Sequence, residues 1–586
     1  MAAGNRSVLV VLDSARAADR TRAAQTVFPA LDHFGVAYEV LECRDYCTLP
    51  TAHASERAAY VLAHDGAGAA MKPALAAELA AAVQAGAGLL TFDREMATWP
   101  EPLRTLLPNG GVPGTTDVLR FPAPPGFITF GHEQDEEVTL NAPLATLSLP
   151  TDGGGGIVPL VSDGEGACIV ASTRVGRGRV VFFGAGEELY SEEVFGHVRG
   201  LDGLMWRSLV WAAAKPFPMR SIPPVVSARF DDCNGTYGSF AYVDVLNRYG
   251  ISPNVGLFID EMGPTDWAAA KRLFDQGGAD FSMHAFRDDF YKASPKYQPY
   301  AVLADKPDLS DGGQHTLFEG LSLDHITGRD LDDATVKRNF ARMDATFARA
   351  GIKHGRILNA HFGEIGWRAV PEFLARGVDL PCNNSVVGQL YGNQPVWRPR
   401  PYDCRGTNGR HGLVIDHCPQ HSGLTMVGIS AAHLGSSHML SDILHGNTPF
   451  HGEAAQSHPD RATERGIANV RLGLDSLAYG NIMAHEERVD AISAADWEMI
   501  VAGIVNGLDG WEPRFTSREG ISVLCRNLLN SALVHAQFAD GRLHCELCGR
   551  TDATSPLTIW ENEGDQCRRR TVEVESFDGF AVVEAG

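Results

Sequence analysis

Four short apolar runs between Val225 and His485 each end in a polar residue capable of chemistry, and each is followed by a turn or an amphipathic helix. Val225-Val-Ser-Ala-Arg-Phe-Asp-Asp232 closes on two carboxylates and runs into Cys233-Asn-Gly235. Phe281-Ser-Met-His284, Arg356-Ile-Leu-Asn-Ala-His361 and Asn481-Ile-Met-Ala-His485 each close on an imidazole. Apolar runs of strand length alternating with helical periodicity favour parallel strands with crossover helices. In barrels built that way the chemistry sits at the C-terminal ends of the strands. The pattern predicts a (β/α) barrel over residues 224–510, with Asp, His, His and His delivered to one rim.

The barrel accounts for half of a 586-residue chain. Single cores stop growing near ~250–300 residues, so two or three domains are expected in all. From Ser7-Val-Leu-Val-Val-Leu12 onward, apolar strands alternate with Ala-rich helices, through Tyr60-Val-Leu-Ala63, Gly88-Leu-Leu-Thr-Phe92 and Val180-Val-Phe-Phe183. That is α/β layering over residues 1–216. Pro216, Pro218, Pro223 and Pro224 then read as a linker, because proline interrupts helix and strand pairing alike. Beyond Trp511 short alternating segments such as Leu557-Thr-Ile-Trp560 predict a small β-sandwich over residues 511–586.

Composition narrows the function classes. A net charge of −22 without a run of Lys or Arg disfavours nucleic acid as a partner. No apolar run approaches the ~20 residues of a membrane span, and the start lacks the apolar core and cleavage site of a secretory signal. A cytoplasmic chain is expected, with no membrane partner, and homo-oligomer formation is left open. The 11 cysteines then read as reduced thiols. Cys545-x-x-Cys548, with Cys567 beyond it, lacks a fourth ligand at zinc spacing.

Asp231 and Asp232, as neighbours on a strand, are expected to point to opposite sides, one toward a metal and the other toward a water. Asp288 lies four residues after His284, which puts both on one face if the segment turns helically. His361 also leaves a strand end and could supply an imidazole ligand. The spacing leaves these two open as the third ligand, with Asp288 slightly preferred. A long segment between His284 and Arg356 reads as a flap over substrate. The insertion from Asp403 to His458 carries eight histidines whose spacing matches no ligand motif. Trp397 and Asn447 are candidate sugar contacts.

These motifs resemble those of polysaccharide deacetylases of the NodB-homology type, which carry Thr-Phe-Asp-Asp, His-x-x-x-His, Arg-Pro-Pro-Tyr-Gly and Leu-x-His. The counterparts here are Arg229-Phe-Asp-Asp232, His284-x-x-x-Asp288, Asn359-Ala-His-Phe-Gly363 and Met483-Ala-His485. The resemblance implies a distorted (β/α) barrel that uses a divalent metal, zinc by expectation, to hydrolyse an amide in a carbohydrate or small-molecule substrate. It implies Asp231 as general base, His485 as general acid, and Asp232 and His284 as metal ligands, joined by Asp288 or His361. Two departures stand out: Asp288 replaces a histidine, and the third motif lacks the arginine that holds the base. Arg229 or Arg287 could replace that cation, and Arg229 is also a candidate substrate contact. The first 216 residues resemble a glutamine-amidotransferase-like or ThuA-like flavodoxin fold. There His64-Asp-Gly-Ala-Gly68 stands where an active amidotransferase needs a nucleophilic cysteine. The rival expectations are a metal-free amidohydrolase on the same barrel and a non-catalytic carbohydrate-binding protein.

Overall fold

A computed structural model describes residues 4–49, 57–108, 110–151, 156–191, 193–235, 238–286, 320–324, 329–361, 365–381, 415–418, 421–427, 459–490, 492–564 and 566–586. The architecture is mixed α/β, with one large mixed sheet and several smaller ones. No described helix is long and apolar enough to cross a membrane.

The large sheet has nine strands. In spatial order they are Tyr38–Glu42, Val8–Leu12, Ala59–Leu62, Gly88–Thr91, Gly178–Phe183, Cys168–Val175, Val158–Asp163, Val112–Arg120 and Glu137–Ser148. The first five run parallel and the remainder pair antiparallel. Val8, Val10 and Leu12 join one apolar cluster, and Leu9 and Val11 join another. Side chains alternate across a strand, so Val8–Leu12 is covered on both faces, and an unbroken apolar run suits it.

The second sheet is a parallel arc in the order Asp280–Ala285, Asn254–Phe258, Val225–Cys233 and Gly480–His485, with Arg514–Phe515 paired to the start of Val225–Cys233. Ile357–Leu358 pairs separately with Leu380–Pro381. The helices Ala241–Arg248, Pro264–Asp275, Asp333–Ala350, Pro459–Asp475 and Ala494–Asn506 contribute buried residues to the same core cluster as the arc. Among the described residues the arc is open.

Two expectations about boundaries are corrected. The proline-rich stretch is not a bare linker, since Phe217–Met219 pairs antiparallel with Ser555–Glu563. Pro218 is tolerated because this strand lies at a sheet edge, where a missing N–H costs no ladder bond. The segment after Trp511 does not pass directly into the tail's own sheets either, since Arg514–Phe515 still belongs to the arc. The helix Arg518–Leu529 intervenes, and Arg518 Nη1 donates to Ser227 Oγ at 3.4 Å and to Asn481 Oδ1 at 3.3 Å beneath the arc. The tail then forms two sheets, and Gly4–Asn5 completes one of them beside Ser531–Ala539. Leu533, Phe538, Leu547, Leu557 and Ile559 share a core between them. Cys545 is buried in that core.

Asp280, at the foot of the arc, is largely withdrawn from water, and one carboxylate oxygen has no hydrogen-bond donor. Burial, aided by the nearby charge of Glu519, pushes its carboxyl up to about 6. The unfolded value is near ~3.9, so the stability of the protonated form is complete below about pH 4 and is lost as pH rises through about 6. Asp280→Asn stays neutral throughout. It is expected to raise stability at pH 8 by about 1–3 kcal/mol and to change little at pH 4, as read by urea denaturation at the two pH values.

Candidate metal centre

Asp232 sits where the Val225–Cys233 strand departs from regular pairing. Phe230 lies opposite Val255 but Cys233 lies opposite Leu257, so the strand gains one residue on its neighbour. Asp232 takes φ of 55°, a left-handed conformation that aspartate tolerates better than most residues. A bulge of this kind re-aims a side chain. The carboxylate of Asp232 faces the imidazoles delivered by three other strand exits.

His284 Nε2 lies 2.9 Å from Asp232 Oδ1, His361 Nε2 3.6 Å from the same oxygen, and His485 Nε2 3.8 Å from Oδ2. Among the described residues, Asp232, His284 and His361 are the one group of three whose donor atoms all lie within 4.8 Å of one another. The rings of His284 and His361 meet edge to face at 4.9 Å, with Phe258 packed near both. His485 is paired across strands with Asp231 and is partly open to solvent.

The orientation of His284 carries most of the chemical information. Its Nδ1 lies 2.6 Å from the main-chain oxygen of Asn359. A carbonyl can only accept, so Nδ1 carries a proton and donates. In the neutral ring Nε2 then presents its lone pair toward Asp232 Oδ1. Two acceptors at 2.9 Å repel unless a proton or a cation lies between them. The contact is close but is not aligned as a hydrogen bond, and Asp232 Oδ1 is buried without a donor. Imidazole nitrogen and carboxylate oxygen bond zinc at about 2.0–2.2 Å, and a shared ion would hold such ligands roughly 3–3.6 Å apart. The spacing and the donor types both fit a borderline divalent ion such as zinc. The hydrogen bond on Nδ1 is the support that metal-binding histidines ordinarily receive.

Burial tends to raise the carboxyl of Asp232, but the surrounding His284, His361 and His485 outweigh it and hold the group well below the usual carboxylate range. Asp231 is held low by a different partner. Burial again opposes ionisation, and the guanidinium of Arg229 overcomes it. Arg229 Nε donates to Asp231 Oδ1 at 2.7 Å and Nη2 donates to Oδ2. Residues two apart lie on one face of a strand, which makes this pair local. Asn359 Nδ2 adds a third hydrogen bond to Asp231 Oδ1 at 2.6 Å.

Six residues singled out in the sequence therefore meet: Arg229, Asp231, Asp232, His284, His361 and His485. Arg229, read above as a substrate contact or as a cation near the base, is buried against Asp231 and bonded to its carboxylate. Asp288, Arg287, Trp397 and Asn447 lie outside the described residues, as do most of the histidine-rich insertion and of the segment read as a flap. Asn359, quoted within the third motif but given no role there, and Gly256, which motif reading missed, are both parts of the site. Gly256 sits mid-strand, and a Cβ there would stand 2.7 Å from Asn359 Nδ2 and 3.0 Å from His284 Nδ1. A glycine inside a strand often marks such an approach. Gly256→Ala is expected to displace both side chains and weaken zinc binding by about 10–100-fold, measured by calorimetric titration, with the far-UV spectrum unchanged.

The first 216 residues hold a second strand exit, His64-Asp-Gly-Ala-Gly68. There the backbone N–H groups of Gly66 and Gly68 each donate to the carboxylate of Asp93 at 2.8 Å. His64 Nε2 accepts from the N–H of Asp13 at 3.0 Å, and Nδ1 meets the Asp65 carbonyl at 2.8 Å.

No family model matches the sequence. No curated protein matches it either. Among solved structures, two cytoplasmic proteins of Salmonella typhimurium, STM3548 and STM1381, align with TM-scores of 0.24 at 11% and 12% identity. The alignments cover 32% and 33% of this chain and 88% and 87% of theirs.

Proposed function

We propose that this chain is a metal-dependent hydrolase of non-peptide C–N bonds, removing an acyl group, most simply acetyl, from an N-acylated amino sugar or a related compound. The observation that carries the reading is the meeting of Asp232, His284 and His361 beside an arginine-clamped Asp231. In this reading the architecture is a flavodoxin-like domain, a distorted (β/α) barrel of the NodB-homology type and a small β-sandwich, and the chain works in the cytoplasm.

Asp232, His284 and His361 would hold the ion. When bound, a divalent ion supplies Lewis-acid polarisation of the amide carbonyl and lowers the pKa of an attacking water. Asp231 accepts the proton of that water. Arg229 holds the Asp231 carboxyl well below the usual carboxylate range, so the acceptor is ionised at neutral pH, although a carboxylate held this low is a weak base. His485, on the neighbouring strand exit and partly open to solvent, donates a proton to the departing amine. Asn359 orients two partners at once, Asp231 through its side chain and His284 through its carbonyl oxygen.

The experiment is acetate release from a panel of N-acetylated sugars, with chelator and with zinc added back. The reading expects release that chelator stops and zinc restores. Release that persists in chelator would favour a metal-free amidohydrolase, and no release from any substrate would favour a binding protein.

A further inference from the structure

Glu486 follows His485 directly and is only 1% exposed, yet the chemistry described above makes no use of it. Its Oε2 accepts the backbone N–H of Asn234 at 2.6 Å and that of Gly235 at 2.9 Å, and its Oε1 accepts the hydroxyl of Tyr242 at 3.0 Å. An ionised carboxylate is kept in such a place only when donors replace the lost water. Two of these donors are main-chain groups just beyond Cys233. The carboxylate is thereby fastened to the exit of the strand that carries Asp232.

That exit is an irregular part of the arc. Asp232 has left-handed backbone, and the register against the neighbouring strand slips by one residue across it. Conformations of this kind persist when the surroundings over-determine them. Asn234 extends the tie to a third strand exit, its Nδ2 donating to Glu261 Oε2 at 3.1 Å just beyond Asn254–Phe258.

We propose that Glu486 is the positioning residue of the centre, holding the bulged exit Asp232–Gly235 against the exit that carries His485 and so setting the distance from the Asp232 carboxylate to the imidazoles. The inference rests on the metal-centre reading under Proposed function. A residue that merely stabilised the fold would lower the melting temperature without changing how a folded protein meets an ion.

The test uses the full chain, stripped of metal by chelator, as parent, Glu486→Ala, Glu486→Gln and Tyr242→Phe. Zinc is titrated calorimetrically, and the histidine rings of the metal-free proteins are followed by 15N NMR. Glu486→Ala is expected to weaken zinc binding by about 10–100-fold. Glu486→Gln keeps one acceptor oxygen and should lose less, which also carries the comparison if the alanine variant fails to fold. Tyr242→Phe leaves both main-chain bonds and should lose least. In the metal-free spectra the Nε2 resonance of His284 should move in Glu486→Ala as the Asp232 carboxylate withdraws. Zinc affinity equal to the parent's in folded Glu486→Ala and Glu486→Gln would overturn the role. A parent that binds no zinc counts against the metal centre instead. The metal-free spectra then decide the role of Glu486 alone: a shifted His284 resonance supports it and an unchanged one overturns it.

Discussion

Asp231→Asn is expected to lower kcat for amide hydrolysis by about 100- to 10,000-fold, the range that general acid–base groups supply, while zinc affinity stays close to that of the parent. Asparagine matches the shape of the carboxylate and can still accept from Asn359 or Arg229, but it cannot take a proton from water. Asp231 is also absent from the group of residues whose donor atoms cluster around Asp232. Steady-state kinetics and calorimetry on the same preparation separate the two effects. A variant that keeps parental kcat would remove Asp231 from the chemistry, and one that loses zinc binding together with activity would make it part of the ion site.

The second large effect is on stability. Arg229→Met leaves the Asp231 carboxylate buried with Asn359 but without its cation, and breaking a buried pair from one side typically costs about 3–5 kcal/mol. The pH dependence has a definite sign. The folded-state value of Asp231 lies below its unfolded one, so the contribution of the pair is complete above about pH 4 and fades as pH falls further. Urea denaturation should therefore show the deficit of Arg229→Met in full at pH 7 and a smaller deficit at pH 3, below the unfolded value. An equal deficit at both values would mean that Arg229 acts through packing and not through charge.

The meeting of four strand exits was legible because it depends on two local rules, strand–helix alternation and the placement of polar residues at the C-terminal ends of parallel strands. The details that decide the chemistry were less accessible. Regular pleating sends Asp231 and Asp232 to opposite sides, yet how far Asp232 turns toward the histidines depends on a bulge that no residue type announces. Arg229 and Asp231 share a strand face by simple alternation, so their pairing was readable, but a cation two residues before a carboxylate could equally have faced substrate. Spacing favoured Asp288 as third ligand because a helical turn was assumed after His284. His361, the other candidate, enters the group from a strand exit far away in the chain, while Asp288 lies outside the described residues. The same limit applies to Gly4–Asn5 and Phe217–Met219, which pair with strands more than 300 residues away and carry little strand signal of their own.

The central claim is that one divalent ion is held by Asp232, His284 and His361. The most direct measurement is a crystal structure of the zinc-loaded protein with diffraction data above and below the zinc absorption edge. The account predicts a single strong anomalous peak within about 2.0–2.3 Å of one Asp232 oxygen and of a ring nitrogen on each of His284 and His361. A peak bound elsewhere, or none beside Asp232 at saturating zinc, would contradict it.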